Sequence, residues 1–232
     1  VQELPLNLDP AALSDSYRAL ETEIALTFND KLWSLDEALS AIINPTDYSF
    51  KSMGLRSLQS QVWKLLGRKA SNLPRLFELY QKAKTMNQQA RLMNALNSTK
   101  SPERQAALDL FEAQWKSDSL TMNKWFQWHG QFDHEEAALQ LEGIFSGPHF
   151  KPTNPNHVRS LLGVFINSSW KGFHRPDGKG YEFLKNKFLY IDSLNPQTAA
   201  RVAQGLENWY RFEPKRKNLL KTCMREMLTH PK

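Results

Sequence analysis

Apolar residues recur along this chain at helical spacing. Leu13, Tyr17, Leu20, Ile24 and Phe28 fall at i, i+4, i+7, i+11 and i+15, one stripe of a helix with 3.6 residues per turn. Leu108, Phe111 and Trp115 share a face, and so do Leu220, Cys223, Met224, Met227 and Leu228. Helix starts stand between the stripes. Asp9-Pro10, Ser101-Pro102, Asn154-Pro155, Asn195-Pro196 and Glu213-Pro214 each set a side-chain acceptor before a first-turn proline, whose missing N–H costs nothing there. Ser34-Leu35-Asp36-Glu37 and Asp133-His134-Glu135-Glu136 have the spacing of capping boxes. Alternating runs rich in Val, Ile and Thr, the mark of strands, are missing. The pattern predicts an all-α chain of roughly eleven or twelve helices of about 10–18 residues with short connections. Three fall between 51 and 99, and a loop over 175–180 precedes a helix that begins near Tyr181. The Asn-Pro starts at 154 and 195 lie 41 residues apart, the period of two-helix repeats. The predicted architecture is a superhelical stack of antiparallel helix pairs, HEAT/armadillo-like, with one concave and one convex face. No linker rich in Pro, Gly or Ser interrupts it, so residues 1–232 read as a single domain.

Composition changes this picture little. With 232 residues the chain is long enough for a substantial core, and 41% hydrophobic with 23% charged residues is ordinary for a globular protein. No run reaches the roughly 18 apolar residues that would span a membrane. Val1-Gln2-Glu3 lacks the basic, then apolar, start of a signal peptide. A chain opening on Val1 reads as a piece of a longer polypeptide. The net charge of +6 is mild and allows an acidic partner without requiring one. A single cysteine, Cys223, excludes an internal disulfide and suits a reducing cytosol, so the expected location is cytoplasmic.

The chemistry that would make an enzyme is missing. His134-Glu135-Glu136-Ala137-Ala138 is the nearest approach to a zinc helix, and a second imidazole would be needed where Ala138 stands. His129, His149, His157, His174 and His230 show no ligand spacing. There is no phosphate loop and no nucleophile elbow. Asp177-Gly178-Lys179-Gly180 follows a helix and reads as a plain turn. Cys223 lies on an apolar face and reads as a buried, inert thiol. Met122, Trp125, Phe126 and Trp128 read as core or interface. Lys217, Lys221 and Arg225 form a basic row that reads as a solvated face, which argues against nucleic acid as a partner. No catalytic and no metal-binding residue is assigned in this chain.

Particular runs nevertheless resemble a known family. Thr121-Met122-Asn123-Lys124-Trp125-Phe126 is one. Asn154-Pro155-Asn156-His157-Val158-Arg159-Ser160-Leu161-Leu162-Gly163-Val164-Phe165 is another. Phe173-His174, Gly178-x-Gly180-Tyr181-x-Phe183-Leu184, Asn195-Pro196-Gln197 and Ala200-Arg201 follow in order. The constellation resembles the C-terminal domain of the bacterial-type aminopeptidase N family (alanyl aminopeptidases, zinc gluzincins), closely over about 120–210 and more loosely over 9–116. The resemblance implies a four-domain hydrolase, a zinc metalloprotease that removes N-terminal amino acids from peptides. Its zinc and its amine-recognition loop would belong to a catalytic domain upstream in the same polypeptide. This chain would be a non-catalytic helical domain that encloses the active-site chamber and controls entry of peptide substrates. Separated from that partner, it should expose an apolar docking patch.

Arg159 and Arg201 are the candidate site residues. Arg159 flanks a helix whose core face is Val158, Leu161, Leu162 and Phe165; Arg201 lies opposite Ala199, Val202, Ala203, Leu206 and Tyr210. Spacing alone reads both as solvated arginines. The resemblance implies that they line the substrate channel, where a guanidinium can hold a peptide carbonyl or carboxylate by paired hydrogen bonds. A free-standing helical-repeat adaptor that binds a protein or peptide in its groove is the alternative function, and a basic nucleic-acid binder the third.

Overall fold

The computed structural model describes residues 7–44 and 46–229; the Val1-Gln2-Glu3 opening and His230 lie outside them. The described chain is helical throughout. In order the helices are α1 (Pro10–Thr27), α2 (Asn29–Ile42), α3 (Phe50–Leu66), α4 (Leu73–Gln81), α5 (Met86–Leu96), α6 (Pro102–Trp115) and α7 (Ser119–Gln131). Then come α8 (Ala137–Phe145), α9 (Pro155–Val158), α10 (Val164–Ser168), α11 (Trp170–Phe173), α12 (Lys179–Leu194), α13 (Pro196–Ala203) and α14 (Pro214–Thr229). Among the described residues the only β pairing is an isolated bridge between Leu8 and Phe212. The all-α expectation holds, and three helices do occupy 51–99. The helical segments outnumber the sequence expectation because a π-helical turn, Arg159–Gly163, splits one helix into α9 and α10, and a short helix, α11, follows.

The chain forms two compact units, one of residues 16–114 and one of residues 7–15 with 115–229. In the first, α3 packs on α2 and α5, and α4 on α5. Trp63, Leu66, Leu76, Leu92, Met93 and Leu96 are fully enclosed. One sequence expectation fails here. Ser34-Leu35-Asp36-Glu37 caps nothing, because α2 has already begun at Asn29. Asp36 instead is buried and accepts hydrogen bonds from Gln59 Nε2 (3.0 Å) and Trp63 Nε1 (2.8 Å). Of the α1 stripe, Tyr17, Leu20 and Phe28 stand 58%, 59% and 44% exposed. The side of α1 that is buried carries Glu21 and Ala25, and Glu21 pairs with Arg68 and with Lys64 (2.7 Å).

In the second unit, α7 packs on the 155–168 segment, and α12 on α13 and α14. Met122, Trp125, Phe126 and Trp128 belong to its core, with Phe165, Phe173 and Tyr181. The proline starts work as capped helix ends: Asn154 accepts from Asn156 N–H, Asn195 from Thr198 N–H and Glu213 from Arg216 N–H, each at 3.0 Å. Asp133 departs from its expected role. It accepts from Ser14 Oγ (2.6 Å) and from the backbone N–H of Lys171 at the start of α11, while α8 starts without a side-chain cap. Gly180 carries the approach of α12 to the preceding turn, since a Cβ there would lie 2.1 Å from the carbonyl oxygen of Phe173. At the end of α14, Leu228 is exposed, although Leu220 and Cys223 are buried as their spacing predicts.

Candidate functional site

The run from Asn154 to Phe165 assigns a distinct task to nearly every residue. Asn154 caps the first turn and Pro155 fills its N1 position. His157 is almost fully buried. Its Nδ1 accepts the backbone N–H of Lys151 (3.1 Å), so Nε2 carries the proton and donates to Ser119 Oγ at 2.9 Å. Burial, then the charge of Lys151, pushes this imidazole below its ordinary range. The ring is therefore a neutral lock between the start of α7 and the loop before α9. Val158, Leu161, Leu162 and Phe165 are wholly buried, a gain of about 1.5–3 kcal/mol each relative to exposure.

Arg159 opens the π-helical turn. Such turns add one residue to the helical ladder and concentrate at functional sites. The Asn167 amide donates to Gly163 O at 2.7 Å where the turn closes. Gly130 of α7 lies so near that a Cβ on it would sit 2.6 Å from Leu161 O. Ser160 Oγ donates to Asn123 Oδ1 at 3.4 Å, joining this run to the Thr121–Phe126 motif. Arg159 itself is exposed, and its Nη2 donates to Asn156 Oδ1 at 3.2 Å.

Arg201 stands on α13, which packs against α9 and the π turn. Ala199 and Val202 turn inward, and Arg201 is exposed with no hydrogen-bond or ion-pair partner among the described residues. The expected stripe stops early. The helix ends at Ala203 and continues as separate 3-10 turns, so Leu206 is buried but Tyr210 is 45% exposed. The structure thus places both arginines on neighbouring elements of one unit, each off its core face. Permanently charged guanidinium groups can hold a carbonyl or carboxylate but cannot act as acid or base at neutral pH.

Sequence reasoning missed Arg216. It is 5% exposed, donates through Nε to His174 O (2.6 Å) and pairs through Nη1 with Glu213 (2.7 Å) and Asp9 (3.2 Å). The Glu213–Arg216 spacing of one turn was its only signal. His174, buried beside it, accepts or donates at Nδ1 to Tyr181 Oη (2.8 Å), and burial, then the Arg216 charge, pushes it down to about 3. Burial likewise pushes the Cys223 thiol up to about 11, which keeps it protonated and inert. Among the described residues no three His, Cys, Asp or Glu side chains converge as a metal site. No described helix is long and apolar enough to cross a membrane.

Comparison with known proteins places this geometry in a family. A family model described as "Domain of unknown function (DUF3458_C) ARM repeats" matches residues 1–232. Aminopeptidase N of Caulobacter vibrioides is 31% identical over 225 residues, covering 96% of this chain and 26% of that protein. Aminopeptidase N of Haemophilus influenzae is 34% identical over 117 residues, which is 50% of this chain and 14% of that protein. The Escherichia coli aminopeptidase N is 24% identical over 222 residues, 95% of this chain and 25% of that protein. The chain thus spans about a quarter of the length of the relatives it matches end to end. Among solved structures, Legionella pneumophila aminopeptidase A, determined in complex with aspartic acid, matches with a TM-score of 0.85 at 22% identity. The match covers 96% of this chain and 27% of that one, a likeness of fold alone. A helical chain with caps 41 residues apart, matched from 1 to 232 by an ARM-repeat model and aligned with part of longer aminopeptidases, belongs to the DUF3458_C family, the C-terminal helical domain of aminopeptidase N.

Proposed function

We propose that this chain is the non-catalytic domain of a cytoplasmic, zinc-dependent aminopeptidase N that removes N-terminal amino acids from peptides. In this reading residues 1–232 work as one domain. They pack on a catalytic domain of the same polypeptide, which holds the zinc, enclose the active-site chamber and control which peptides enter. Arg159 and Arg201 line the entry channel and hold the carbonyls or C-terminal carboxylate of a substrate. The observation that carries the reading is the pair of exposed guanidinium groups on packed elements, one on a π turn and the other unpartnered. The exposed apolar row of α1, in a chain one quarter the length of its relatives, supports the docking part.

Kinetics of the full-length enzyme test it. Because both arginines are remote from the metal in this reading, Arg159→Ala or Arg201→Ala should raise KM for tripeptides and longer substrates. The expected loss is about 0.5–2 kcal/mol per arginine, a charge-assisted hydrogen bond discounted for hydration. Single-residue amide substrates should be turned over as before. Unchanged kinetics on long peptides would return both residues to a solvated surface. Lost turnover on single-residue amides would move them to the catalytic centre. A polypeptide without peptidase activity that still binds peptides would favour the adaptor.

A further inference from the structure

The 16–114 unit contains a cleft of about 740 Å³ between α2, α3 and α5. Four cations line it, Arg56, Lys82, Lys84 and Arg91, and no carboxylate does. Of the carboxylates on adjoining segments, Glu78 pairs with Lys82 at 3.8 Å on the exposed rim, and Asp36 and Asp47 accept hydrogen bonds elsewhere. Asp36 accepts from Gln59 and Trp63, and Asp47 from the Ser49 N–H and hydroxyl. Arg91 is the unusual member. Its Nε is shut off from solvent and has no hydrogen-bond partner, and its guanidinium lies 5.7 Å from the Trp63 ring centre. Burial, then the positive charge of Arg56, pushes Arg91 below its ordinary value. Arg56 commits Nη1 to the carbonyls of Asn44 (3.2 Å) and Asp47 (2.6 Å) and to Ser52 Oγ (2.8 Å), which fixes its plane. Its Nε and Nη2 have no partner among the described residues.

Two guanidinium groups repelling each other are costly unless a counter-charge offsets the cost. An oxyanion in the cleft does so, and it accepts from the unpaired Arg56 N–H groups. The cleft is far larger than one inorganic ion needs, and Ile43, Tyr48 and Met53 supply apolar wall beside the charges. We propose that this cleft binds a small organic polyanion carrying at least two oxyanion groups, carboxylate or phosphate, with Arg56 and Arg91 holding one group and Lys82 and Lys84 the other. The proposal is independent of the channel reading for Arg159 and Arg201.

Titration calorimetry on the full-length polypeptide at low salt tests it, with citrate, pyrophosphate, inorganic phosphate and a neutral polyol as probes. Saturable binding of citrate or pyrophosphate is expected, weakened about tenfold or more by Arg91→Gln. The exposed substitution Lys84→Gln, which leaves the interior untouched, should weaken the same probe several-fold. Arg159→Ala should leave it unchanged. Citrate tighter than pyrophosphate would identify carboxylate as the ligand chemistry, and the reverse order phosphate. Absence of saturable binding up to 10 mM (roughly the weak end of specific recognition), or binding indifferent to both cleft substitutions, would overturn the proposal. Inorganic phosphate binding as tightly as the polyanions would overturn the two-group geometry.

Discussion

Helix α1 and the segment from Pro155 to Ser168 are both amphipathic, yet they bury opposite kinds of side. The 155–168 segment turns Val158, Leu161, Leu162 and Phe165 inward and leaves its arginine outside. Helix α1 turns Glu21 and Ala25 inward and leaves Tyr17, Leu20 and Leu26 in solvent. The difference lies in what each inner face meets. Across from Arg159's segment stands the backbone of α7, opened by Gly130, and close packing decides the matter. Glu21 meets Arg68 and Lys64, and an ion pair decides it. An apolar stripe therefore identifies a helix without saying which neighbour will cover it.

The largest break is expected at Glu21. Removing one partner of a largely buried pair leaves the Arg68 charge uncompensated, so Glu21→Ala should cost about 3–5 kcal/mol in the urea midpoint analysis. Replacing Arg68 by Met in the same variant should recover part of that loss. The corresponding break in the other region is Gly130→Ala. Its Cβ would press on the Leu161 carbonyl, and about 2–4 kcal/mol of stability should go. The far-ultraviolet spectrum should stay helical, and a cost below 0.5 kcal/mol would mean that α7 does not press on the π turn.

Acid distinguishes the two regions by the pH at which each decline starts. His157 and His174 have folded pKa values below the ordinary imidazole 6.5, so their unfolded forms bind protons first. Stability present above pH 6.5 should fall as pH drops through the histidine window, by about 1.4 kcal/mol per pH unit per proton taken up. At Glu21 burial raises the carboxyl, but Lys64 and Arg68 outweigh it and hold it below 4.5. Its contribution should persist until pH falls below 4.5. Urea midpoints at pH 7, 5.5, 4 and 3 should show His174→Gln flattening the decline all the way from 6.5 to about 3, and Glu21→Gln only the part below 4.5. The smallest effect belongs to Leu20, 59% exposed. Leu20→Ala should change the stability of the 232-residue chain by no more than about 0.5 kcal/mol, and a larger loss in the full-length polypeptide would show that α1's row is covered there.

Local signals in the sequence determined most of the helical plan. Asn154, Asn195 and Glu213 cap where their side chains stand before proline, because a cap needs only its own first turn. The core faces of the 155–168 run and of α13 up to Val202 follow the same short-range logic. Tertiary structure decided what depends on distant neighbours. Asp133 has cap spacing, yet it serves Ser14 and α11, because partners far along the chain compete for its oxygens, and Ser34 lies inside a helix that has already begun at Asn29. The exposure of the α1 row, the π turn at Arg159 and the gathering of Arg56 and Arg91 around one acid-free cleft have no periodic signature at all. Each arises from packing between helices, which charge and spacing along a single chain do not encode.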